Sequence, residues 1–448
     1  HEVIFTGNGV HEIEIGNSGT CFNILGTEKG SKLSWTGYYN VQGMKNDLDI
    51  EVPEGKTVTF PSTEKGINFK GYHVNITGDV VSEGNINLDQ GSLTIGGNLH
   101  HTSGKIEIAG GTLEIKGDYQ NYDYLYENGS YHGGWGSLVM EKETVQMIVG
   151  KDFYMYSYCN TSDNKLKAGT IRIGGNFKEN ASNENFVGQG SHEVIFTGNG
   201  VHEIEIGNSG TCFNILETEE GSKLNWTGYY NVQDLRNDLD IEVPEGKTIN
   251  FYTDTAIDLK GHHVSITGDA VHDNGKLELN GAELTISGDM RSAGDIDLDQ
   301  GTLSIGGNLH HTLGNIEIAG GTLNIKGDYR NYDYLYEDGN YHGGYGSLVM
   351  EKESDCMTVG KDFYMYSYRG QDLNKFQAGT IRIGGNFKEN VSNENFVGQG
   401  SHKVIFTGNG LHEIEIGNSG TCFNILETEE GSKLNWTGYY NVQDLRND

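Results

Sequence analysis

Gly91-Ser92-Leu93-Thr94-Ile95-Gly96-Gly97-Asn98-Leu99 is followed twenty residues on by Gly111-Thr112-Leu113-Glu114-Ile115-Lys116-Gly117-Asp118-Tyr119. Each stretch holds an apolar pair, Leu93/Ile95 or Leu113/Ile115, alternating with polar residues. Period-two alternation means a short strand with one buried face. A second pair precedes each, Ile86/Leu88 and Ile106/Ile108. The runs are too short and too rich in β-branched residues for helices, and they carry no 3.6-residue stripe. Gly, Asn and Asp fall between the pairs, which predicts tight corners with positive φ. Short strands recurring every ~20 residues describe coils stacked one on the next, an all-β, right-handed parallel β-helix (a β-solenoid). In such a fold each strand pairs with its counterpart one coil away, and Leu93, Leu113, Leu303 and Leu323 line up along one axis. With roughly 22 coils at the usual strand spacing, an elongated rod on the order of 100 Å is expected.

A longer repeat contains these coils. HEVIFTGNGVHEIEIGNSGTCFNIL begins at His1 and again at His192, and returns as HKVIFTGNGLHEIEIGNSGTCFNIL at His402. The repeat units are 1–191, 192–401 and a truncated 402–448, so the chain reads as a slice of a longer array. Over their first 57 positions the first two units differ at six. The offset between matched residues is 191 at Pro53/Pro244, 190 at Gly78/Gly268 and 210 at Gly97/Gly307. The second unit therefore carries one additional coil, as expected of a fold built by stacking equivalent layers. Pro53, Pro61 and Pro244, the three prolines, are expected outside the strands because Pro lacks a ladder donor.

Composition narrows the function. Of 448 residues, 63 are acidic and 31 basic, a formal charge of −32, which opposes binding to nucleic acid. No run approaches 18 apolar residues, so no membrane-spanning helix is predicted. No Ser-hydrolase elbow, zincin, P-loop or dinucleotide motif is present. The five cysteines contain no CxxC; Cys21, Cys212 and Cys422 are equivalent and, with Cys159 and Cys356, are expected as buried free thiols. His100-His101 and His310-His311 alternate faces if they lie in a strand and face solvent together if they lie in a corner. The Asn-Asp-Leu-Asp stretches 46–49 and 237–240 offer oxygen ligands for calcium but lack the nonapeptide of calcium-binding β-rolls. No other cofactor is expected.

Aromatic residues mark the candidate contact surface. Tyr122, Tyr124, Tyr126 and Trp135 cluster in one period-breaking segment, and Tyr154, Tyr156 and Tyr158 alternate with Phe153 and Met155 in the next. The second unit repeats them as Tyr332, Tyr334, Tyr336, Tyr345, Tyr364, Tyr366 and Tyr368. With Phe153 and Met155 inward, the tyrosines form an outward row suited to stacking on sugar or to a protein contact. The alternative is that segment 120–136 folds over the row as a satellite core.

The layers Gly91–Leu99 and Gly110–Asp118, with Gly55-Lys56-Thr57-Val58-Thr59-Phe60, resemble those of large bacterial surface repeat proteins, including filamentous-haemagglutinin-like adhesins. The wording of His1–Ile15 is similar to repeats in long surface stalk proteins of Gram-positive bacteria. The resemblance implies an extracellular, cell-attached location and a structural or adhesive role without catalysis. Its implied partners are neighbouring repeat units end to end, and a surface glycan or a host or cell-wall polymer. Two other readings remain, a carbohydrate-binding module using the Tyr/Trp residues and a polysaccharide-degrading β-helix enzyme.

Overall fold

The computed structural model describes residues 1–179, 184–337, 339–389 and 393–446. It contains no helix among these residues; parallel strands stack in coils about 22 residues apart, a β-solenoid of about 20 turns. The average coil is longer than the twenty residues of the clearest layers because several coils carry long excursions. The chain divides into two compact units, His1–Asn225 and Trp226–Asp448.

In the first unit, Val74, Leu93, Leu113, Met147, Ile171 and Val194 pair in register from coil to coil. All six side chains are buried. A second column on the next side of the coil runs Val80, Leu99, Tyr119, Phe153 and Phe177. A third runs Ile67, Ile86, Ile106 and Leu138. The second unit repeats the first column as Leu239, Val264, Leu284, Leu303, Leu323, Met357, Ile381 and Val404. Val74 passes directly to Leu93, whereas Leu284 stands between Val264 and Leu303. The additional coil is thus a complete rung with ordinary neighbours. Pro53, Pro61 and Pro244 all lie just outside strands.

The expected positive φ is present at one corner of the coil and absent at the other. Gly97 and Gly117 are not in the left-handed region; positive φ occurs at the opposite corner, at Asp89, Gln90 and Gly110. What excludes a side chain at Gly97 is the neighbouring coil. Asp79 Oδ1 accepts the Asn98 N–H at 2.7 Å, Asn98 Oδ1 accepts the Asp118 N–H at 2.8 Å, and Asp118 Oδ1 accepts the Asp152 N–H at 3.1 Å. The ladder continues from Asp152 to the Asn176 N–H at 2.8 Å and from Asn176 to the Glu203 N–H at 2.7 Å. A Cβ on Gly97 would land on Asp79 Oδ1, and one on Gly117 on Asn98 Oδ1. The Gly-Asp and Gly-Asn dipeptides are therefore matched parts of one ladder, running also from Asp269 through Asp289, Asn308, Asp328 and Asp362 to Asn386 in the second unit.

The histidine pairs lie in strands and point to opposite faces, not together into solvent. His101 is fully buried, while His100 is partly exposed and donates from Nε2 to the Tyr122 carbonyl at 2.9 Å. The thiols are free, but not uniformly buried: Cys21 is exposed and Cys356 half-buried, with Cys159, Cys212 and Cys422 buried. Cys212 and Cys422, the equivalents of Cys21, bridge Val187 and Val397 on the preceding coil. Asp47 and Asp238 of the acidic stretches accept the N–H groups of His73 and His263, both at 2.8 Å. Among the described residues no set of three His, Cys, Asp or Glu side chains converges on a common point.

Candidate functional site: an aromatic arm on each unit

Between Tyr122 and Trp135 the chain leaves the coil and returns as a β-hairpin, with Tyr124–Leu125 antiparallel to Tyr131–His132. The Asn128-Gly129 turn closes it: Gly129 takes φ +81°, and Asn128 Oδ1 accepts the Ser130 N–H at 3.0 Å. Asn-Gly between strand residues is a strong hairpin signal. The second unit builds the same arm from Tyr334–Leu335 and Tyr341–His342.

A buried polar network fixes the base of the arm. The Tyr119 hydroxyl and His101 Nδ1 lie 2.9 Å apart, and His101 Nε2 is 2.9 Å from the Gly104 carbonyl. A carbonyl only accepts, so Nε2 carries the proton and Nδ1 receives the tyrosine hydroxyl. Asn121 Nδ2 donates to Tyr119 Oη at 3.2 Å and to the Gly136 carbonyl at 3.1 Å, and Ser157 Oγ donates to that carbonyl at 2.7 Å. Burial lowers the His101 pKa to about 4, so the ring is neutral at pH 7. A Cβ on Gly136 would press on the His101 ring at 2.8 Å, which explains the glycine after Trp135. His311, Tyr329, Asn331, Gly346 and Ser367 reproduce the network in the second unit.

The arm sorts its aromatics into a covered and an open group. Phe153 and Met155 point inward as expected, but the tyrosine row is broken: Tyr156 leaves the strand and is 8% exposed. Tyr131 stacks on it, centroids 4.1 Å apart and planes 18° apart. Tyr122, also 8% exposed, meets the edge of Tyr154 at 6.5 Å. Burial raises the Tyr154 and Tyr156 pKa values, so both hydroxyls stay protonated, and Tyr154 Oη donates to Asp152 at 3.0 Å. The open group is Tyr124, Tyr126 and Trp135, the last 64% exposed. Tyr124 lies flat on His132, planes 6° apart, and Tyr158 stands against the edge of His132 and beside Trp135.

In the second unit Tyr341 stacks on Tyr366 at 4.2 Å, Tyr332 meets the edge of Tyr364 at 6.2 Å, and Tyr334, Tyr336 and Tyr345 are exposed. A cation is added here. Arg369, where the first unit has Cys159, sets its guanidinium 5.6 Å over the Tyr345 ring beside Tyr368.

Four participants went unnoticed in the sequence. Tyr131 and His132 follow the Asn-Gly turn, and hairpin pairing would have placed them opposite Leu125 and Tyr124. Lys178 and Glu205 lie one and two coils beyond Tyr154 in strict register. With Gly129, Ser130, Tyr131 and Tyr156 they line a cleft of about 400 Å³ beneath the arm.

No protein-family model, curated protein or solved structure matches this chain.

Proposed function

We propose that this chain is a non-catalytic structural and adhesive segment of a large bacterial surface protein or filament. The solenoid serves as a scaffold, and the arms are its contact elements. The observation that carries this reading is the duplication itself: the arm recurs with the same stacking geometry on both units, although the second has gained a coil. Repetition of a binding element multiplies avidity, whereas repetition adds little to a single catalytic centre. The arm cleft supports the same side, since its lining holds one carboxylate, Glu205, where glycoside hydrolysis ordinarily uses two. Exposed aromatics with acidic surroundings suit a soluble display surface.

The test is localisation followed by adhesion. Antibody against the chain should label intact, unpermeabilised source cells, and mild protease should remove the label. Detection only after lysis would refute the surface assignment.

A further inference from the structure

We infer that the cleft beneath each arm is a binding site for an uncharged pyranose unit of a polysaccharide. The inference deepens the adhesive reading and rests on the arms being contact elements. Three features of the cleft converge on this ligand.

The first is its wall. Tyr131 is half-buried over Tyr156, and the rigid pair presents an apolar surface from the arm side. The aliphatic hydrogens of a pyranose ring lie on its faces and pack against such a surface.

The second is the presence of both a cation and an anion on the floor. Lys178 and Glu205 are register partners on adjacent coils and both line the cleft, with Lys178 Nζ also 3.5 Å from the Glu203 carboxylate. An ammonium only donates hydrogen bonds and a carboxylate only accepts them. A sugar hydroxyl does both, so neighbouring hydroxyls satisfy Lys178 and Glu205 together. An anionic ligand would leave Glu205 opposed, and a cationic one would leave Lys178 opposed. The −32 charge of the chain adds a general penalty against acidic polymers.

The third is size and access. A volume of about 400 Å³ lies within the range of ligand sites. Gly129 and Ser130 of the hairpin tip form part of its lining. The second unit supplies Tyr341 on Tyr366, with Lys388 and Glu415 in the same register. Two equivalent sites per chain follow.

The experiment is calorimetric titration of the full chain with hexasaccharides of β-1,4-glucose, β-1,3-glucose, β-1,4-mannose and β-1,4-N-acetylglucosamine, and with polygalacturonate. At least one neutral hexasaccharide should bind at two sites per chain, and polygalacturonate should not. The double variant Glu205→Gln/Glu415→Gln should weaken that binding tenfold or more. Both glutamates are exposed, so its melting curve should match the parent. The inference is overturned if no neutral hexasaccharide binds, if polygalacturonate binds instead, or if the double Gln variant binds undiminished. Each of these outcomes leaves surface labelling of cells unaffected, so the scaffold reading stands or falls separately.

Discussion

Replacing Gly97 with Ala tests whether the corner glycines serve the side-chain ladder. Gly97 has no left-handed φ to lose, so conformational strain contributes little. The new Cβ would displace Asp79 Oδ1 from the Asn98 N–H and sit 2.9 Å from Asp79 N and from Gly78 C. The displaced bond is solvent-exposed and charge-assisted, worth about 1 kcal/mol net. Crowding of the backbone adds about 1–2 kcal/mol. Gly97→Ala should therefore cost about 2–3 kcal/mol, and Asp79→Ala about 1 kcal/mol. The double variant should cost no more than Gly97→Ala alone, because the ladder bond is lost once. That is a coupling of about 1 kcal/mol between the two positions. Urea unfolding followed by far-UV circular dichroism gives the global cost, and hydrogen exchange at the Asn98 amide gives the local one. Gly16→Ala, with nothing within 4 Å of its added Cβ and no positive φ, is the neutral control. Strict additivity of Gly97→Ala and Asp79→Ala would refute the ladder explanation.

Acid should destabilise the chain through its buried histidines. Burial lowers His101, His272 and His311 to about 4 and His192 and His402 to about 3. Their neutral forms are favoured in the fold, so this stability is complete above the unfolded value near 6.5 and drains as pH falls towards 4. At pH 5 the loss is about 2 kcal/mol per histidine, set against milder relief of the acidic self-repulsion. His192 and His402 have no hydrogen-bond partner for either ring nitrogen among the described residues, so His192→Leu/His402→Leu should flatten the dependence without orphaning a partner. An unchanged slope of unfolding free energy between pH 7 and 5 would count against this account. Deleting 269–288 joins Gly268 to Asp289 and should leave the circular dichroism spectrum per residue unchanged, with Val264 now pairing Leu303; loss of cooperative unfolding would contradict independent rungs. Arg369→Cys should uncover Tyr345 and raise its accessibility to surface iodination towards that of a Trp135→Tyr variant, and equal labelling before and after would dismiss the cation–π contact.

The solenoid was legible because its signal is local and repeated. Leu93/Ile95 and Leu113/Ile115 announce both the strand and its pairing partner, since the offset between them is the coil. The offset arithmetic at Gly268 and Gly307 located the additional rung for the same reason. The role of Gly97 was misread because its sequence context suits a turn glycine equally well, and only the next coil shows what occupies the space. Tyr156 was placed on an open face because alternation was extended past Met155, where the strand ends. Lys178 and Glu205 escaped notice because each is an ordinary strand residue locally, and they matter only through the arm reaching down from an earlier coil.

The ladder of Asp79, Asn98, Asp118, Asp152 and Asn176 has a polarity. In every rung the side-chain oxygen belongs to the earlier coil and the amide to the later one. A polypeptide leaving the ribosome amino end first thus finishes each wrap with an acceptor already in position for whatever is synthesised next. Elongation and assembly proceed in the same sense, and the freshly made tier is always the one that completes the bond.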